Sequence, residues 1–256
     1  KEQGVTILTN SEVTGFTYEN DVALSAKVNG KDFYSDIFIS GADYQHTDRK
    51  LLNGNANYSD SYWNKRTMAP SSLLFYVGVN KKLNNLQHHN LFFDESLDDH
   101  GKEIYKNPKW PTKPLFYLSV PSVTDPSAAP EGMENMFFLI PIAPDLEDNE
   151  ETRERYFNML LKRLTDLTGN DISDSIVYKR SFCISDFKKD YHAFKGNAYG
   201  LANTLRQTAI LKPRLKNKHL KNFFYTGQLT VPGPGVPPSI ISGEVVAKHI
   251  IKNAKK

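Results

Sequence analysis

The sequence is poor in cysteine. Its single thiol, Cys183, excludes an intrachain disulfide framework and a multi-cysteine zinc site, and it suits a reducing compartment, with cytoplasm as the expectation. Net charge is also scarce. Thirty-two basic side chains against 29 acidic ones leave +3, too weak a field to recruit nucleic acid, and no basic motif is interleaved with aromatics. Long apolar runs are missing as well. Leu73–Val79 and Met136–Ala143 fall far short of the roughly 20 residues that span a bilayer, so membrane contact is expected to be peripheral. Lys1-Glu2-Gln3-Gly4 has neither the apolar core of a signal peptide nor a transit composition. The expectation is that Lys1 marks a cut and not a biological terminus.

What is present is a chain able to fold. With 256 residues, 39% hydrophobic and 12% aromatic, it can bury a large core in one domain or two. Short runs at Gly4–Leu8, Ser11–Phe16 and Ala23–Val28, punctuated by Asn and by the Asn29-Gly30 turn, read as strands and hairpins. The run Asp36–Ser40 is apolar through its middle and reads as a strand buried on both faces, with a ligand-facing loop after it at Gly41-Ala42-Asp43. Ser72–Val79, Leu115–Val120 and Met136–Ile140 do not alternate with polar residues, which predicts strands covered on both sides. From Glu151 to Thr168, Tyr156, Leu160, Leu164 and Leu167 form one stripe at helical spacing, closed by Gly169 as a C-cap. Another strand is expected at Ile176–Phe182. The basic tail Lys252–Lys256 reads as a frayed end.

The strongest signal lies near the end. Phe223–Thr226 predicts a strand that stops at Gly227; a turn rich in Gly and Pro follows, and a helix is expected to open at Ser239 and run to about Asn253. A helix amino terminus carries free N–H groups and roughly half a positive charge, so it attracts anionic ligand atoms. Among other candidates, His88-His89 invites a metal reading, but adjacent strand side chains point to opposite faces and no third ligand stands at a suitable spacing, so no metal is expected. Asp43 reads equally as a cofactor neighbour or as a helix cap. Cys183 reads as a buried, inert thiol. The basic run Lys212–Lys221 reads as a solvated connection or as a patch for anionic headgroups.

The stretch Tyr225-Thr226-Gly227-Gln228-Leu229-Thr230-Val231-Pro232-Gly233-Pro234-Gly235-Val236-Pro237-Pro238-Ser239 resembles the carboxyl-terminal flavin-contacting motif of the bacterial-type phytoene desaturase family. Ser40–Asp43, His88–Asn90, Asp125–Met133, Asp186-Phe187 and Gly196–Gly200 also occur in that family's order. The resemblance implies an α/β protein: part of an FAD-binding, Rossmann-like, amine-oxidase-like fold, with an α/β substrate domain built on a mixed sheet. It implies partial FAD-binding segments at 1–50 and 216–256 around a substrate domain at 51–215. Gly227, Gln228, Gly233, Gly235, Val236, Pro237, Pro238, Ser239 and Asp43 are the implied cofactor contacts, and a side chain at Gly235 is expected to obstruct FAD without disturbing the core. The implied activity is FAD-dependent desaturation of a long apolar polyene such as phytoene, by an enzyme attached peripherally to membranes. An isomerase, an oxygenating homologue, a retinol saturase-like enzyme and a non-catalytic apolar-ligand module are the alternatives. No Gly-x-Gly-x-x-Gly occurs, so the cradle for the FAD pyrophosphate is missing and the chain alone is expected to be inactive. Gln228 and Val231 stand where some members carry alanine-like and histidine-like residues. No catalytic base and no electron acceptor is assigned.

Overall fold

The computed structural model describes residues 2–254, so the expectations attached to Lys1, Lys255 and Lys256 lie outside the described residues. In chain order the first elements are β1 Val13–Glu19, β2 Val22–Val28, β3 Lys31–Tyr34, β4 Phe38–Ser40, α1 Tyr44–His46 and α2 Asp60–Asn64. Then come β5 Ser71–Val79, β6 His89–Phe92, α3 Leu97–Tyr105, β7 Phe116–Ser119, β8 Glu134–Ile142, α4 Glu150–Thr168, β9 Ile176–Phe182 and α5 Ile184–Tyr191. The last are β10 Phe223–Tyr225 and α6 Val236–Ala254. These elements form two compact units, residues 2–68 with 199–254 and residues 69–198.

The first unit begins with the antiparallel meander β1-β2-β3. Its second turn carries Asn29 at φ 50° and Gly30 at φ 76°, the two left-handed residues that match the twist of paired strands. The run Gly4–Leu8 forms no strand, and Val5, Ile7 and Leu8 are exposed. β4 pairs in parallel with β10, Phe38 opposite Phe223 and Ser40 opposite Tyr225. Phe16 of β1 packs edge-on against Phe38 and Phe223, with ring centroids 5.5 and 5.0 Å away. Ile37 and Ile39 are exposed, which corrects the expectation that this strand is covered on both faces.

Residues 51–68 and 199–215 belong to this unit, where the sequence places them in a central domain. Polar contacts explain the shift. Asn57 donates from its backbone to Asp48 Oδ1 at 2.5 Å, and its side chain donates to the Tyr44 hydroxyl at 2.7 Å. Thr67 N donates to Gln207 Oε1 at 2.9 Å, tying the next stretch to the later part of the chain.

The second unit is a five-stranded sheet in the order β6-β7-β8-β5-β9. Every pairing in it is antiparallel, so the expected mixed sheet is corrected; among the described residues the parallel pairing is the one between β4 and β10. β5 and β8 pair from Ser71/Ile142 to Val79/Glu134. Leu73, Phe75, Val77, Phe138 and Ile140 are fully buried beneath Tyr156, Phe157, Leu160 and Leu164 of α4. Each such side chain stabilises the fold by about 1.5–3 kcal/mol. α4 starts at Asn149, whose side chain accepts from Thr152 N, and stops at Gly169, φ 78°, as its stripe and glycine predict.

The opposite face of this sheet is not covered throughout. Tyr76 is 40% exposed, Leu91 and Tyr178 are exposed, and Tyr117, Phe137 and Leu139 are half-buried. A continuous apolar run hides such alternation because both its faces are apolar.

Candidate functional site

Parallel pairing of β4 and β10 brings their carboxyl ends to one edge, the place where α/β sheets hold ligands. Thr226 N donates to Ser40 O at 2.9 Å, and past that bond the two chains diverge into loops. Beyond β4, Asp43 Oδ1 accepts from His46 N at 3.0 Å and caps α1, so the capping role is realised at the strand end beside the turn.

Beyond β10, Gly227, Gln228, Gly233, Gly235, Val236, Pro237, Pro238 and Ser239 form one continuous turn and helix start. Gly227 N donates to Ser242 Oγ at 2.8 Å, and Ser242 Oγ donates to Ser239 O at 2.6 Å, which fastens the turn to the first part of α6. Thr230, fully buried, donates from N and Oγ1 to Gly227 O at 3.0 and 2.8 Å. The Val231–Pro232 peptide is cis. A Cβ on Gly200 would stand 3.1 Å from Gln228 O, so the loop ending at Gly200 lies against this turn.

Gly227, Gly233 and Gly235 have φ values of 100°, 140° and 107°. The backbone path therefore requires glycine at each, independently of any ligand. A Cβ on Gly235 would meet Pro238 Cδ at 3.4 Å, so the expectation that a side chain there leaves the protein itself undisturbed is corrected. The helix also opens earlier than the sequence suggests. Ser239 N donates to Gly235 O at 3.0 Å and α6 begins at Val236, because proline is tolerated in a first turn where its missing N–H has no helical partner. Pro237 and Pro238 fall inside that turn and remove two of its donors. The helix end keeps its dipole but is poor in N–H groups.

Sequence reasoning missed Lys212. It stands in the basic run read as solvated or as a headgroup patch, yet it is 4% exposed, and among the described residues its Nζ has no hydrogen-bond partner. The Lys212 Cε and Nζ atoms lie 3.3 and 3.6 Å from the position a Cβ on Gly233 would take. Burial pushes its ammonium below the usual lysine range. Nothing in the spacing separates Lys212 from the exposed Arg214, Lys216 and Lys218; only the fold does.

A second buried group sits behind β10. Asp48 accepts from Asn57 N, from Tyr58 N at 2.9 Å and from the Tyr225 hydroxyl at 3.2 Å, and Tyr225 stacks on Tyr44 at 3.9 Å. Burial raises the Asp48 carboxyl above its usual range despite these donors.

The remaining candidates lie in the second unit. β6 starts at His89, so His88 is outside the strand, and the two rings lie 4.2 Å apart instead of on opposite faces. His88 Nδ1 bonds Thr124 Oγ1 and His89 Nδ1 bonds the Tyr117 hydroxyl, both at 2.6 Å. Among the described residues no group of three His, Cys, Asp or Glu could hold a metal ion. Cys183 is fully buried and its thiol is pushed up to about 12, chiefly by burial.

Against known proteins, the sequence profile of a family described as flavin containing amine oxidoreductase matches residues 1–251. A carotenoid 3,4-desaturase of Haloarcula japonica is 42% identical over 99% of this chain and 51% of its own length. A phytoene desaturase of Fusarium fujikuroi is 30% identical over 98% of this chain and 47% of its own. This chain thus spans about half the length of these relatives. Among solved structures, an oxidoreductase from Methanosarcina mazei aligns with a TM-score of 0.61 at 12% identity, covering 93% of this chain and 49% of its own. Cyclohexylamine oxidase from Brevibacterium oxydans aligns with a TM-score of 0.61 at 10% identity, covering 96% and 49%. These two likenesses concern the fold.

Proposed function

Because this chain belongs to the flavin containing amine oxidoreductase family, we propose that it forms part of an FAD-dependent desaturase acting on a long apolar polyene of the phytoene type. The observation that carries the reading is the turn Gly227–Ser239, which leaves the carboxyl end of a parallel strand and opens a 19-residue helix. An open turn, a helix amino terminus and the orphaned buried amine of Lys212 together suit a flat ring that becomes anionic on reduction, such as flavin. The pyrophosphate cradle is assigned outside these 256 residues, since no Gly-x-Gly-x-x-Gly occurs within them.

When bound, flavin supplies the hydride acceptor for a reaction in which adjacent carbons lose a hydride and a proton and become joined by a double bond. The chain's own contribution is position and exclusion of water. Gly227, Gln228, Gly233, Gly235 and Val236 would line the cofactor, with Pro237, Pro238 and Ser239 fixing the start of α6 and Asp43 shaping the adjoining loop. A hydrocarbon has no polar handle, so its affinity comes from burial at about 0.8 kcal/mol per CH₂. The open face of the five-stranded sheet suits that task. Tyr76 and Phe137 lie ring to ring at 5.2 Å, and beside them a cleft of about 320 Å³ is lined by Tyr76, Gly78, Met133 and Tyr178, among others.

Such a substrate resides in lipid. No helix among the described residues is long and apolar enough to cross a membrane, and we assign the protein a peripheral place on the cytoplasmic membrane surface. The test supplies the protein at its full natural length with FAD and phytoene-bearing liposomes, and reads products by chromatography and mass. Products lighter by successive pairs of hydrogen atoms are expected. A product heavier by one oxygen atom would assign an oxygenating homologue instead, and an isomer of unchanged mass would assign an isomerase. Unchanged phytoene with FAD in place would overturn the substrate assignment.

A further inference from the structure

Lys212 is a buried lysine whose Nζ has no partner among the described residues, an arrangement that costs stability unless something else repays it. Its surroundings show where a partner belongs. The Lys212 side chain covers Gly233, with Cε and Nζ 3.3 and 3.6 Å from the position of a Cβ there, so its Nζ lies against the turn. Three residues beyond Gly233, α6 directs the positive end of a 19-residue helix toward the same turn. That helix start is short of donors, since Pro237 and Pro238 occupy its first turn. An anion arriving at the turn therefore meets a helix field with few N–H groups and, beside it, one ammonium that has no partner among the described residues.

We propose that Lys212 is a cofactor-contacting residue whose ammonium pairs with the negative charge that bound flavin acquires on reduction. This inference rests on the placement of flavin at the turn described above and adds the residue that sets its redox balance. Arrival of a hydride brings two electrons and one proton, so neutral oxidised flavin becomes an anion. A cation held within the protein at that point favours the reduced form over the oxidised one, and low effective dielectric strengthens the preference.

The protein at its full natural length, loaded with FAD, is compared with Lys212→Met, which keeps a chain of similar length and removes the charge, with Lys212→Gln, and with Lys212→Arg, which keeps the charge. The readouts are the two-electron midpoint potential of the bound flavin, its affinity for sulfite and the melting temperature of the apoprotein. Both neutral variants are expected to shift the oxidised/reduced equilibrium at least tenfold toward oxidised flavin, about 30 mV for two electrons. They are expected to weaken sulfite binding by at least the same factor, while Lys212→Arg recovers most of both. Apoprotein carrying Met at this position is expected to melt no lower than wild type, because an unpaired buried charge has gone. Flavin bound by Lys212→Met or Lys212→Gln with unchanged potential and unchanged sulfite affinity would overturn the proposal and leave the cofactor site standing. Failure of the wild-type protein to bind flavin would overturn the cofactor site itself and this proposal with it.

Discussion

Gly235 shows how a residue can look like a ligand contact and serve the backbone first. At φ 107°, with Pro238 Cδ 3.4 Å from where its Cβ would stand, it is fixed by the path of the chain. Gly235→Ala is expected to lower the unfolding free energy of the apoprotein by about 1–3 kcal/mol, measured by urea titration without flavin; an unchanged midpoint would contradict this. Asp48 supplies a pH signature. Its carboxyl is raised above the ordinary value of 3.8, first by burial, so the folded protein holds that proton more tightly than the unfolded chain. Stability from this group is present below pH 3.8 and is lost as pH rises through the raised value. The stability of wild type relative to Asp48→Asn should therefore fall across that window and then level off, and a difference independent of pH would refute the assignment. The sequence offers Asp43 equally as a cap and as a cofactor neighbour, and the cap is present, whereas it offers no sign of Lys212. Burial of one lysine in a basic run is decided by contacts distant in sequence, and no local pattern records them.

At the scale of elements, legibility follows periodicity. α4 announces itself because a helix with one buried stripe must repeat its apolar residues at helical spacing, and Gly169 ends it because only glycine takes φ 78° there without strain. Leu160 lies at the centre of that stripe and is fully buried. Leu160→Ala should cost about 2–5 kcal/mol of stability, read from denaturant unfolding of the second unit, and a loss under 1 kcal/mol would show that α4 does not hold the sheet face as described. β4 and β8 are misread for the same physical reason that α4 is read well. An apolar run carries no alternation, so it cannot say which face another element covers. Among the described residues β4 has one strand neighbour, and Ile39 and the preceding Ile37 remain open. The start of α6 was misplaced because prolines look like a barrier before a helix, although a first turn accommodates them.

For the whole molecule, the strand-to-helix turn is legible in the sequence whereas the extent of the two compact units is not, since hydrogen bonds accepted by Asp48, Asn57 and Gln207 join segments more than a hundred residues apart. The family relatives are about twice as long as this chain, and the chain has no glycine cradle for a pyrophosphate. Supplied alone with FAD and phytoene, these 256 residues are expected to form no product; desaturated carotenoid from the chain alone would refute the division of the cofactor site. The most direct test of the central claim is an experimental structure of the protein at full natural length with flavin bound. The isoalloxazine ring is expected against the backbone of Gly227–Val236, with Lys212 Nζ within hydrogen-bonding reach of the edge that becomes anionic on reduction, about 3 Å. A ring seated elsewhere, with Gly227–Ser239 facing only protein or solvent, would contradict it.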